Sequence, residues 1–142
     1  DMILHENTVM GLGDGGAHVG TICDASFITS LLTHWGRDRV RGEQIDLPTL
    51  VKSQTRDTAL AVDLSDRGTL ELGKRADLNV IDFENLNVSV PEIVHDLPAG
   101  GARLQQKSEG YLATICHGSV TYRFGHETEH LPGRLIRKTG VV

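Results

Sequence analysis

The residues best equipped for chemistry lie near the start of the chain, in Gly11-Leu12-Gly13-Asp14-Gly15-Gly16-Ala17-His18. An aspartate set among glycines can act in two ways. At the carboxyl end of a strand it can take a proton from water or help hold a divalent metal, while the glycines let backbone approach a ligand closely. Equally, it can cap the turn through Asx hydrogen bonds and do no chemistry. The string also satisfies the G-x-G-x-x-G expression of dinucleotide sites. That site needs a helix opening directly from the glycines, so that its amides meet a pyrophosphate. Gly20 and Thr21 intervene before any helical period begins, and an acidic side chain inside the cradle would repel phosphate. His18, in the same loop as Asp14, is the histidine placed to border a ligand there, with Gly15 and Gly16 beside it.

Other chemistries are poorly served. The remaining histidines, His5, His34, His95, His117, His126 and His130, form no His-x-His or His-Glu-x-x-His pattern, and read as solvated or structural. Cys23 and Cys116 are far apart in sequence, which signals neither a disulfide framework nor a Cys-x-x-Cys metal site and predicts buried free thiols. There is no Gly-x-Ser-x-Gly elbow, and Ser26, Ser30 and Ser53 fall at ordinary helical positions, against a serine hydrolase.

The elements that must position these residues follow from periodicity. Thr8-Val9-Met10-Gly11-Leu12-Gly13 is an apolar, partly β-branched run that predicts a buried strand stopping at Asp14. Asp24 then reads as an N-cap. Phe27, Ile28, Leu31, Leu32 and Trp35 share a helical face, with Gly36 as the stop. Asp46-Leu47-Pro48 opens a second helix, broken before a further turn over residues 57–62. From Gly68 the character becomes β. Leu78 and Val80 alternate with polar neighbours in a half-buried strand, and residues 111–125 make two strand-like runs around His117-Gly118. Residues 91–104, with Pro98 and Gly100-Gly101, predict a long loop.

Composition narrows the classes further. The chain has 142 residues, 39% hydrophobic and 23% charged, with a net charge of −5, which suits a globular domain or part of one. Scattered Lys and Arg and a pI of about 5.7 argue against nucleic acid. No stretch reaches the roughly 20 apolar residues needed to span a membrane, and the start lacks the basic and apolar regions of a signal peptide. The expectation is a cytoplasmic protein without membrane partners.

The order of features resembles the C-terminal end of amidohydrolase-superfamily enzymes. The resemblance rests on the strand ending at Asp14, the helices after it, and above all Gly68-Thr69-Leu70-Glu71-Leu72-Gly73-Lys74-Arg75-Ala76-Asp77-Leu78-Asn79-Val80-Ile81-Asp82. Ile115-Cys116-His117-Gly118-Ser119-Val120 and Leu131-Pro132-Gly133-Arg134-Leu135-Ile136-Arg137 add to it, with His117-Gly118 where Asn-Gly is usual. The whole string looks most like the D-aminoacylase branch, the N-acyl-D-amino-acid deacylases.

The resemblance implies an α+β chain. Residues 1–67 would be the last strand and helices of a metal-dependent (β/α)8 barrel, and residues 68–142 the β-rich part of a small composite β-sandwich. It implies that Asp14 is the catalytic aspartate after strand eight, shuttling a proton from the activated water to the leaving amine and ligating metal only alongside residues of the rest of the barrel. His18, Gly15 and Gly16 would border the substrate. The arginine-containing loop of the better known D-aminoacylases has no counterpart. The implied cofactor is zinc or another divalent metal, and the implied substrate a small N-acyl amino acid or related amide. A barrel needs about 250 residues, and the family's His-x-His ligands are absent from this sequence. The chain therefore reads as a C-terminal portion of a larger enzyme, inactive and metal-free alone, with exposed strand edges that favour a homo-oligomer. The alternative is a non-catalytic β-rich interaction domain in which Asp14 is structural.

Overall fold

A computed structural model describes residues 2–11, 13–15 and 19–136. It mixes short helices with antiparallel strands, as an α+β chain should. Among the described residues no helix is long and apolar enough to cross a membrane. Two compact units interleave along the sequence. One takes residues 1–11, 51–81 and 111–142, the other residues 12–50 and 82–110.

The second unit is built around one composite helix. A 3₁₀ turn, Asp24–Ser26, runs into α1, Phe27–Ser30, and then into a wider π-helical stretch, Leu31–Asp38. The apolar face predicted from sequence is half realised: Leu31 and Leu32 are buried, whereas Ile28 is 42% exposed. Gly36 does not stop this helix. A β-carbon there would lie 2.9 Å from Leu50 Cδ1, so the missing side chain lets the helix seat against fully buried Leu50. Asp24 does not cap it either. The capping position is Cys23, which makes no side-chain cap bond, and the Asp24 carboxylate is spent elsewhere.

The helix ends at a guanidinium anchor. Arg37 donates to the carbonyls of Phe83, Glu84 and Leu86 and lies over the Phe83 ring. Three backbone acceptors on one rigid fork fix the 83–86 turn, with Leu86 fully buried beneath it. Asp46 caps α2, Leu47–Gln54, by accepting the Thr49 amide at 2.9 Å, and the helix opens at Asp46-Leu47-Pro48 as the sequence predicts.

Residues 91–104 are not the loop their Pro and Gly content suggested. They form a hairpin of β3, Glu92–Leu97, and β4, Gly101–Gln105, around a tight turn where Ala99 and Gly100 both take positive φ. The turn residues fell inside a strand pair rather than outside it, and Ile93, 68% exposed, hid the alternation. A short pair, β2 (Asn87–Val88) with β5 (Ser108–Glu109), closes the base of this insertion. Gly110 is obligatory there: at φ +90°, its β-carbon would sit 2.6 Å from Leu86 Cα.

The first unit holds a four-stranded antiparallel sheet in the order β1-β6-β7-β8. Its strands are β1 Leu78–Ile81, β6 Tyr111–Cys116, β7 Ser119–Arg123 and β8 His126–Glu127. The β6–β7 hairpin lies where sequence placed it. Val80 is 47% exposed, against expectation: the register slips between Val80 and Ile81, and shelter passes to Ile81. The break predicted before residues 57–62 falls at Thr55, ahead of helix α3, Arg56–Ala61, and the Thr55 carbonyl lies 2.9 Å from where a Gly68 β-carbon would be. Cys23 and Cys116 are free thiols, half-buried rather than buried.

Residues 8–11 and 13–15 form no strand. Val9, expected in the interior, is 52% exposed. A strand exists by hydrogen bonding to neighbours, and the segment's backbone bonds are instead local or to the start of the helix.

Candidate functional site

Asp14 is held by its backbone and offers its side chain. Its amide donates to Asp24 Oδ1 at 2.8 Å, and its carbonyl accepts the Asp24 amide at 3.2 Å. This reciprocal pair clips the loop onto the first residue of the 3₁₀ turn. Gly13 makes the approach possible, since a β-carbon there would lie 3.0 Å from Ala25 Cα and 3.3 Å from Asp24 O. Asp14 is exposed, and among the described residues no hydrogen bond or ion pair engages its carboxylate. An unclaimed carboxylate on a fixed backbone can accept a proton or a metal ion without first breaking an internal contact.

The 3₁₀ turn is itself tethered. The Ser26 hydroxyl donates to Gln106 Oε1, and Gln106 Nε2 donates to the Ser89 carbonyl at 2.9 Å, so the insertion braces the element that holds Asp14. Val19, on the far side of the loop, is a β-branched residue at φ +57°, a conformation costing about 1–3 kcal/mol. Gly15 is exposed, and a β-carbon at its position would meet Val19 Cγ2 at an ordinary contact distance of 3.8 Å. Gly16 and His18, the other expected substrate-bordering residues, lie outside the described residues.

The other histidines do not gather. His5 accepts the Asn7 amide, His34 meets Trp35 edge to face at 5.5 Å, and His95 pairs with the Gly100 carbonyl. Among the described residues no three of His, Cys, Asp and Glu form a metal-holding group.

The Gly73-to-Asp82 signature resolves into a structural corner. Asp77 accepts Arg75 Nε on both oxygens, at 2.9 and 2.7 Å, and the His117 amide at 2.8 Å, with Arg67 Nη1 3.6 Å away. Burial alone would push the Asp77 carboxyl up, but the His117 amide and the Arg75 and Arg67 charges outweigh it and hold it below its ordinary value. The Gly118 amide donates to Ala76 O at 2.9 Å. Together these bonds grip the β6–β7 turn, where His117 at φ +51° and Gly118 at φ +79° take the two left-handed positions of a type I′ hairpin. Arg75 also reaches Cys116 Sγ at 3.5 Å. Neither this corner nor the Asp24 clip was visible in sequence, because each joins residues whose spacing carries no local signal.

Compared with known protein families, the chain matches the amidohydrolase family over residues 1–122, from before the Asp14 loop to within β7. No curated protein and no solved structure matches. The chain belongs to the amidohydrolase family, a family of hydrolases.

Proposed function

We propose that this amidohydrolase-family chain is the C-terminal portion of a metal-dependent enzyme that hydrolyses non-peptide C–N bonds in N-acyl amino acids, in the manner of the N-acyl-D-amino-acid deacylases. On this reading residues 1–67 end a (β/α)8 barrel, and residues 68–142 contribute to its β-sandwich. The observation that carries the reading is the Asp14 loop: backbone clipped to Asp24, carboxylate exposed and without a partner among the described residues.

Asp14 would contribute one ligand to zinc or another divalent ion, the others coming from barrel strands beyond this chain. Such an ion supplies acidification of water toward neutrality and polarisation of a carbonyl. Asp14 accepts the proton of the attacking water and returns it to the departing amine nitrogen. Gly15, Gly16 and His18 border the substrate. The lack of strand pairing at residues 8–11 fits a segment whose partners are neighbouring barrel strands. Without them the chain is inactive, and its open edges, including β1, favour self-association.

The test is metal analysis and hydrolysis of N-acyl-D- and N-acyl-L-amino acids, by this chain and by the protein extended upstream through its barrel. Metal and D-selective amine release in the longer protein alone are expected. Turnover by this chain alone would sink the fragment reading. No metal and no turnover in the longer protein would point to a non-catalytic interaction domain.

A further inference from the structure

Asp24 has the form of a helix cap and does not serve as one. Its carboxylate turns back to take the Asp14 amide at 2.8 Å, while its own amide donates to the Asp14 carbonyl at 3.2 Å. These two bonds constrain the peptide on both sides of the Asp14 α-carbon, and so the origin and direction of its side chain. The apposition is close: a β-carbon at position 13 would lie 3.0 Å from Ala25 Cα and 3.3 Å from the Asp24 carbonyl, tight contacts that glycine avoids. The segment carrying Asp24 is braced from behind by the hydrogen bond from Ser26 to Gln106 and by that of Gln106 to Ser89 O.

We propose that Asp24 is the positioning residue of the site, fixing the Asp14 carboxylate through the Asp14 backbone, with Gly13 permitting the contact. The inference rests on the reading of Asp14 as the proton acceptor. Positioning through a backbone amide needs an oxygen acceptor and not a charge. Asparagine should therefore serve at position 24, and alanine should not. A displacement of about 1 Å at a reacting group can cost about a hundredfold in rate.

The experiment uses the full enzyme with its barrel and compares Asp24→Ala, Asp24→Asn and Asp14→Asn. Each is measured for kcat, KM and hydrogen exchange at the Asp14 amide. Asp24→Ala is expected to lower kcat about tenfold to a hundredfold, leave KM nearly unchanged and speed exchange at the Asp14 amide. Asp24→Asn should restore kcat and slow exchange. Unchanged kcat in Asp24→Ala beside an inactive Asp14→Asn overturns the proposal, as does an Asp24→Asn enzyme no better than Asp24→Ala. Should Asp24→Ala fail to fold, Gly13→Ala crowds the same contact with Asp24 intact, and hydrogen exchange reports whether the Asp14 amide is loosened: faster exchange with lowered kcat supports the proposal, and faster exchange with full kcat overturns it. Full turnover by Asp14→Asn would instead refute the reading of Asp14, and the exchange data would still report whether Asp24 holds the loop.

Discussion

Two aspartates in this chain have opposite fates. Asp77 is engaged internally, with Arg75 and the His117 amide bonded to its oxygens and Arg67 3.6 Å away. Asp14 is the reverse: two backbone bonds hold it, and its carboxylate has no partner among the described residues. A carboxylate held by internal donors stabilises the fold and must give up those bonds to serve a substrate. One whose position is fixed through the main chain keeps its acceptor capacity. The motif on which the sequence resemblance chiefly rests thus marks a structural corner, and the less distinctive glycine-rich loop carries the candidate chemistry.

The contrast can be broken most directly by asparagine at position 14. In the full enzyme Asp14→Asn should lower kcat by about a hundredfold to ten-thousandfold, with the melting transition unmoved. A lower Tm with unchanged turnover would give Asp14 the role assigned to Asp77. Removing the internally bonded carboxylate should do the opposite. Asp77→Ala leaves the His117 amide and Arg75 Nε without their acceptor and should cost about 2 kcal/mol in denaturant unfolding, with turnover per folded molecule retained.

Acid sharpens the same comparison. An unfolded aspartate titrates near pH 4, and the donors around Asp77 hold its folded value lower. Its contribution is therefore fully present above about pH 4 and lost as pH falls through the folded value. Unfolding measured between neutral pH and about pH 2 should show a shallower acid decline for Asp77→Asn than for the native chain. An equal decline in both would remove Asp77 from the acid response. The smallest effect is expected at the turn that Asp77 grips. Asparagine tolerates the left-handed conformation better than histidine, so His117→Asn should raise stability by less than about 1 kcal/mol. Destabilisation would mean that the histidine ring contributes a contact beyond its backbone amide.

Sequence alone was enough for the features that depend on near neighbours. The β6–β7 hairpin followed from the strand-like runs around His117-Gly118, the start of α2 from Asp46-Leu47-Pro48, and the family from strings that survive without knowing any contact. It misled where a local signal had a tertiary override. Gly36 looks like a helix stop because glycine usually is one, but its missing side chain is used to seat a helix on Leu50. The 91–104 hairpin was hidden because its turn residues suggested a loop and its exposed Ile93 blurred the alternation.

Periodicity, capping and turn chemistry act over a few residues, so sequence determined the α+β character, the hairpin and the candidacy of Asp14. Only the tertiary structure decided that Asp24 clips that loop instead of capping a helix, and that Asp77 is consumed by donors up to 40 residues away. A carboxylate's role depends on which donors reach it, and that is set by chain segments brought together through folding, not by the residues beside it in sequence.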